Sequence, residues 1–392
     1  MNVTAKRLIS LSALFGSLET ILPQQFGVTS AAAMAPTSLN VRVATYNVLS
    51  SHLSGVDHYS TLNPDHLCPK NRLPVVLQKI DQEIEQSSII CLQEISHDWA
   101  GSFHTHFANR GYHLVTGLYG KKFNGYMGVG IAFKTSSFEV LDVDISRLSD
   151  KREGGWPRKP KEPKRNAVVR FAKDFYGFAA TTTKSFLGLV GLYDAPRWPP
   201  QDAWSMAENR FNQLVTVKLQ DKATKKSFAI GNYHMPCAFF KPEVMTIHTD
   251  LAARHVQKLA KKDEEQAAPY VLAGDWNIKP DGSSYRLLTT GKMDEGDPEW
   301  PESKYGMEWS PTCEGMRSAY AEAGGEPDFT NYARIKEDDP FIDTLDYIFL
   351  SEEWKVKGVK ELPHRDGSGG PFPNLDKGEP SDHILIAADL EL

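Results

Sequence analysis

Apolar residues recur along the chain with two periods. Val41, Val43 and Thr45 alternate with Arg42, Ala44 and Tyr46, a period of two that predicts a strand ending at Asn47. Leu73, Val76, Leu77, Ile80 and Ile84 recur at threes and fours and predict an amphipathic helix over 71–86. The apolar run 88–93 predicts a second strand, closed by Glu94. Trp99, Phe103 and Phe107 share one face of a helix expected over 98–110, with Gly111 as its stop. Strands are expected around 112–116, 129–133 and 138–143. A strand pair over 212–219 and 227–233 ends at His234. A helix follows over 242–262, with Pro242 at its start and Val244, Ile247, Leu251, His255 and Leu259 on one face. Tyr270-Val271-Leu272 is a short buried strand leading to Asp275 and Asn277, two polar residues that period-two alternation points the same way. Residues 281–340 are polar and turn-rich, and two final strands are expected over 345–350 and 384–390.

Strands with interspersed helices, without a G-x-G-x-x-G or Walker loop, argue for an α/β or α+β sandwich rather than a nucleotide-binding doubly wound sheet. The folded domain is expected over 40–392, with an insertion around 151–207. Residues 1–39 differ in kind. Lys6 and Arg7 precede a short apolar segment, and Ala31-Ala32-Ala33 closes it. That is the layout of a targeting peptide to an organelle (mitochondrion or plastid), with a secretory signal as the alternative and a disordered N-terminus as the plain reading. Within the insertion, 151–165 carries three prolines and seven Lys or Arg. It reads as a solvated surface loop, or as a basic loop over a polyanion, with Trp156 either stacking on a base or anchoring the loop. Residues 172–207 show no assignable pattern.

Composition adds bounds. The chain has 392 residues, 41% hydrophobic and 24% charged, enough for a sizeable core. A formal net charge of −6 argues against wrapping nucleic acid by bulk charge. The four cysteines form no C-x-x-C, and Cys91 falls in an apolar run, so the fold reads as disulfide-independent. No apolar run is long enough for a transmembrane helix. No internal repeat or leucine-rich recruiting pattern is present, and a monomer is expected.

Chemistry concentrates at strand ends. Asn47, Glu94, His234, the Asp275/Asn277 pair and Asp382-His383 each stand there, and Asp346 adds a sixth position. Each alone has an ordinary explanation as a cap, turn or satisfied polar group. Their recurrence at one place on successive strands does not. Carboxylates suit a hard divalent cation, and carboxamides and histidines suit an anionic oxygen.

In this order, Thr45-Tyr46-Asn47, Leu92-Gln93-Glu94, Tyr233-His234, Gly274-Asp275-Trp276-Asn277, Leu345-Asp346-Tyr347 and Ser381-Asp382-His383 resemble the motifs of the endonuclease/exonuclease/phosphatase superfamily. Met316 to Tyr320, Gly325-Glu326-Pro327, Phe329-Thr330-Asn331-Tyr332 and Pro380-Ser381-Asp382-His383 are similar to the branch of the carbon-catabolite-repressor-type deadenylases, nocturnin, the angel proteins and 2′-phosphodiesterase. The resemblance covers 40–392 and implies a deoxyribonuclease I-like four-layer α/β sandwich, two mixed β-sheets face to face with helices outside. It implies a phosphoesterase using Mg²⁺, or Mn²⁺, held by Glu94, Asn47 and Asp382. Asp275 would orient or deprotonate water, Asn277 would hold a phosphoryl oxygen, His234 would stabilise charge, and His383 would act at the phosphate with Asp346 fixing its tautomer. The implied substrate is RNA or another nucleotide phosphoester, cut by a deadenylase-like 3′-exoribonuclease. The alternatives are a phosphatase on NADPH or a cyclic phosphate, a phospholipid or inositol phosphate hydrolase, and a non-catalytic binding module. Where the branch often has an acid supporting the histidine, this chain has Met127.

Overall fold

The computed structural model describes residues 38–160, 202–261 and 267–392. The expected targeting segment and most of the 151–207 insertion lie outside the described residues. In chain order the elements are β1 (Asn40–Asn47), α1 (Pro64–Leu67), α2 (Pro69–Glu85), β2 (Ile89–Ile95), α3 (His97–Ala108), β3 (Tyr112–Leu118), β4 (Gly128–Lys134) and β5 (Phe138–Arg147). Then come α4 (Ala203–Glu208), β6 (Gln213–Asp221), β7 (Ser227–His234), α5 (Pro242–Lys261), β8 (Tyr270–Asp275) and α6 (Ser283–Thr290). The chain continues through β9 (Arg317–Ser318), α7 (Ala319–Ala323), β10 (Asn331–Ala333), β11 (Phe341–Asp343), β12 (Asp346–Leu350), β13 (Lys355–Val359) and β14 (Ile386–Glu391). The turn-rich stretch 281–340 thus holds two helices and short strands.

Two six-stranded sheets result, ordered β13-β14-β1-β2-β4-β3 and β5-β6-β7-β8-β12-β9. Both are mixed: β1 runs parallel to β2 and β7 parallel to β8, and the remaining pairs are antiparallel.

Alternation along each strand builds the layers. Val43, Ile89, Cys91 and Ile131 of the first sheet meet Val217, Ile230, Val271 and Ile348 of the second in one buried cluster. The opposite face of the first sheet, with Ala44, Tyr46, Ile90 and Leu92, packs on Val76 and Ile80 of α2 and on Trp99, Phe103 and Phe107 of α3. The opposite face of the second, with Tyr233, Leu272, Tyr347 and Phe349, packs on Val244, Ile247, Leu251 and Val256 of α5. The chain is therefore a four-layer α/β sandwich with helices outside. All four cysteines are free and Cys91 is fully buried. Among the described residues no helix is long and apolar enough to cross a membrane.

The face between the sheets changes character along its length. Val43, Cys91, Ile230 and Val271 are apolar, and the next same-face residues on β1, β2 and β7 are Thr45, Gln93 and Asn232. Gln93 Nε2 donates to Thr45 Oγ1 at 2.9 Å and to Asn232 Oδ1 at 2.7 Å, joining the sheets. Asn232 Nδ2 donates to Leu92 O and Gly130 O at 2.9 and 2.8 Å. One step further out lies the candidate site.

Candidate active site

All eight sequence-predicted residues lie at this edge of the sandwich, each no more than about a tenth exposed. Asp275 is the hub. Its Oδ2 accepts Asn47 Nδ2 at 2.9 Å and faces His234 Nε2 at 3.5 Å and His383 Nε2 at 3.6 Å. Asp346 opens β12 rather than closing a strand, and Asp382-His383 precede β14. Antiparallel pairing brings strand starts to the edge where parallel neighbours end, so Asp346 stands opposite Asp275 in register.

Glu94 reaches the site by a break in alternation. Ile89, Cys91 and Gln93 face the other sheet, so Glu94 on a regular strand would face the helices. The β2–β4 register instead slips between Leu92 and Ile95, and Glu94 takes φ of 61°. Ile95 then joins the helix-side cluster and Glu94 turns inward. A bulge that re-aims one side chain is the physical device, and its left-handed backbone is strain held by the surroundings. Ser50 N donates to Glu94 Oε2 at 2.7 Å, and Asn47 Nδ2 donates to Oε1 at 3.3 Å.

Asn277 is also placed by turn geometry, not by alternation. β8 ends at Asp275, and Asn277 has φ of 50°. Its N–H donates to Asp275 Oδ1 at 3.0 Å, an Asx turn, and its Nδ2 donates to Met235 O at 3.1 Å.

His383 Nδ1 faces Asp346 Oδ2 at 2.7 Å. Burial pulls the imidazole pKa down, but the charges of Asp346 and Asp275 outweigh it and hold His383 well above its usual value. The pair therefore reads as imidazolium and carboxylate. Thr330 Oγ1 fixes the strand start by accepting Leu345 N at 2.9 Å and Asp346 N at 3.0 Å. His234 has no acid on its far side: Nδ1 is buried with no hydrogen-bond partner among the described residues, consistent with Met127 in place of an acid.

The Asn47 carboxamide is hydrogen-bonded at both ends. Its oxygen accepts Leu49 N at 3.0 Å, while its NH₂ spans Glu94 and Asp275. The NH₂ makes Asn47 a bridge between two acids, and the carboxamide oxygen keeps a second lone pair that a cation could use. The donor set fits a hard cation. Burial raises Glu94 above the usual carboxylate range, and no Lys or Arg pairs with it among the described residues. Asp382 accepts Tyr59 OH at 2.9 Å and has no basic partner among the described residues either. Asp275, Asp346 and His383 also bring ligand atoms within 4.8 Å of one another, but the ion pair within that trio already uses its charge.

Sequence reasoning missed the supports: Ser50, Tyr59, Arg72 and Thr330. Thr330 stood inside the quoted Phe329-Thr330-Asn331-Tyr332 motif, and the other three carried no local signal. It offered two readings of Trp156, and the structure selects the anchor. Trp156 Nε1 donates to Ser149 O at 2.8 Å and the ring meets Trp204 edge-on at 6.4 Å, with Arg152 over both. A cavity of about 590 Å³ runs along α5 between Arg152, Arg254 and Trp309 and includes none of the eight residues.

Residues 44–383 match the profile of the Endonuclease/Exonuclease/phosphatase family. The chain belongs to that family. Among curated proteins it is similar to the CCR4-Not complex 3'-5'-exoribonuclease subunit Ccr4 of Neosartorya fischeri, 26% identical over 383 residues, covering 89% of this chain and 47% of that one. It is also similar to mouse 2',5'-phosphodiesterase 12, 26% identical over 185 residues, covering 45% of this chain and 28% of that one. The chain spans about half the length of the Ccr4 proteins it matches. Among solved structures, the 2',3'-cyclic phosphatase ANGEL2 with adenosine-2',3'-vanadate superposes with a TM-score of 0.65 at 18% identity, covering 91% of this chain and 96% of that one. The catalytic domain of human nocturnin superposes with a TM-score of 0.53 at 16% identity, covering 90% and 93%. These likenesses agree with the fold.

Proposed function

We propose that the chain is a Mg²⁺-dependent phosphodiesterase that removes nucleotides from RNA 3′ ends. One observation carries the chemistry: a single carboxylate oxygen, Asp275 Oδ2, is surrounded by the donors of Asn47, His234 and His383. An acceptor ringed by donors is the layout for a water held by a base beside an anionic phosphate. Asp275 orients and deprotonates that water. His383, kept protonated by Asp346, turns Nε2–H toward a phosphoryl oxygen. Asn277 offers the amide hydrogen that Met235 O leaves free, and His234 answers charge built up in the transition state. Asn47 keeps Glu94 and Asp275 from separating. Glu94 and Asp382 would hold the cation, which would supply neutralisation of phosphoryl charge and support for the leaving oxygen. Oxygen ligands and the absence of a Cys/His cluster among the described residues favour Mg²⁺ or Mn²⁺ over Zn²⁺. The similarity to Ccr4 exoribonucleases along nearly the whole chain supports the substrate class.

The test is product analysis with the full chain, Mg²⁺ and a set of substrates: oligo(A), 2′-5′-linked oligo(A), NADPH and RNA ending in a 2′,3′-cyclic phosphate. Stepwise release of mononucleotide from oligo(A), abolished by Glu94→Gln with folding intact, is the expected result. Equal activity of wild type and variant, or none on any substrate, refutes the enzyme reading. Turnover of the cyclic phosphate or NADPH alone replaces the exoribonuclease with a small-nucleotide phosphatase.

A further inference from the structure

The segment joining β1 to α2 contributes two side chains to the site that no strand-edge pattern announces. Residues 51–68 pack as a small unit: Tyr59 and Leu67 are buried with Leu49 and Ala333, and Leu53 and Leu62 lie against them. Ser54 Oγ donates to Leu67 O at 3.0 Å and Lys336 N donates to His58 O at 2.8 Å, tying both flanks down. The unit delivers Tyr59, 3% exposed, to Asp382, where its hydroxyl donates to Oδ2 at 2.9 Å. The other carboxylate oxygen meets only Ser381 Oγ, at 3.4 Å, among the described residues. Asp382 is thus oriented chiefly by one phenol.

Arg72 lies under the same two segments and is fully buried. Its Nε donates to Pro380 O at 2.6 Å, and its Nη2 donates to Val48 O and Leu49 O at 2.7 and 2.6 Å. One guanidinium therefore ties the turn after Asn47 to the turn before Asp382. Its Nη1 has no partner among the described residues, and the ring of Trp99 lies 5.1 Å from its centre. Burying a guanidinium with an unused donor is costly, and a neutral brace would hold two loops at lower cost. A fixed cation beneath acids fits the site's own charge better.

We propose that Tyr59 and Arg72 are positioning residues for the cation: Tyr59 aims the Asp382 carboxylate, and Arg72 fixes the spacing between the Asp382 turn and the turn that presents Ser50 to Glu94. The inference rests on the reading of Glu94 and Asp382 as the cation's ligands. Partners that orient a ligand govern metal affinity by about 10–100-fold.

The experiment titrates the full chain with Mn²⁺ alone, by calorimetry and by paramagnetic resonance, in wild type, Tyr59→Phe, Arg72→Lys and Glu94→Gln. Tyr59→Phe deletes one hydroxyl and Arg72→Lys keeps the charge, and a thermal melt of each variant checks that the fold is retained. Expected are wild-type binding, a roughly 10-fold weaker Kd in each positioning variant, and recovery of kcat at saturating Mg²⁺. A purely structural brace would lower Tm and leave the Mn²⁺ Kd unchanged. That result overturns the inference and leaves the phosphodiesterase reading standing. Absence of Mn²⁺ binding in the wild type overturns both.

Discussion

Asn232 is the residue whose loss should register most clearly in both stability and activity. It is fully buried and its side chain makes three hydrogen bonds, all to the other sheet: from Gln93 Nε2, and to Leu92 O and Gly130 O. Leu92 and Gly130 stand opposite each other just before the register slips at Glu94. Asn232 thus satisfies carbonyls beside the bulge that aims Glu94. Asn232→Ala removes three bonds at about 1 kcal/mol each and leaves buried carbonyls unpaired, for a total of about 3–5 kcal/mol. That is about a fifth or more of the stability of an ordinary domain, about 5–15 kcal/mol. Urea unfolding followed by tryptophan fluorescence should show a lower midpoint at unchanged slope. Hydrolysis at a temperature where the variant is folded should fall by at least about 10-fold, because Glu94 and Asp275 are no longer held in one frame. Gln93→Met and Asn232→Ala combined should couple by about 0.5–3 kcal/mol. A loss under about 1 kcal/mol with full activity would refute the view that this bridge registers the sheets.

Two further expectations follow from the same geometry. Asp346→Asn keeps the shape beside His383 but removes its charge; kcat should drop about 10²-fold or more with KM little changed, and retention of more than a tenth of the wild-type rate would contradict the assigned role. His248 is buried, with Nδ1 on Tyr233 OH at 2.7 Å and Nε2 on Ala207 O at 3.0 Å, and burial lowers its pKa from 6.5 to about 4. Because the folded value lies below the unfolded one, its stabilisation is present above pH 6.5 and is lost as pH falls toward 4, amounting to about 2 kcal/mol by pH 5. Urea midpoints at pH 7.5 and 5.0 should therefore diverge less in His248→Gln than in wild type, and equal divergence would sink the assignment.

The alternating strands, the amphipathic helices and the strand-edge position of the polar residues were legible because each is a local pattern with period two or 3.6. The four-layer arrangement followed from those faces together with the motif order. What escaped was set by contacts remote in sequence. Nothing in Leu92-Gln93-Glu94 says that Glu94 will take a left-handed backbone; alternation alone sends it to the wrong face. The conformation holds because Ser50 and Asn47, 44 and 47 residues away, capture its carboxylate. Asn277 was expected on the same side as Asp275 for a period-two reason, but the strand has already ended and an Asx turn does the work. Asn47 shows a different gap. Its residue type permits a ligand oxygen or a donor, and only the network around it shows the donor in use. Tyr59 and Arg72 reach Asp382 and Pro380 across 323 and 308 residues, a distance no periodicity spans.

The charge count at the edge explains why this site should favour a cation over a closed, neutral core. Glu94, Asp275, Asp346 and Asp382 are four buried carboxylates. Against them stand the His383 imidazolium and the Arg72 guanidinium, and the guanidinium spends its bonds on backbone carbonyls rather than on any acid. Asp346 is answered by His383 and Asp275 by the donors around it, which leaves Glu94 and Asp382 without a direct ion-pair partner among the described residues. Burial already drives Glu94 upward, and the Asp382 charge adds to that push. Two such carboxylates can relieve the repulsion by taking a proton or by sharing a divalent ion. The ion alternative fits better, because Ser50 N and Asn47 Nδ2 both donate to Glu94 as an acceptor, and Tyr59 does the same for Asp382. A protonated acid would want at least one acceptor in those places, and the fold supplies donors.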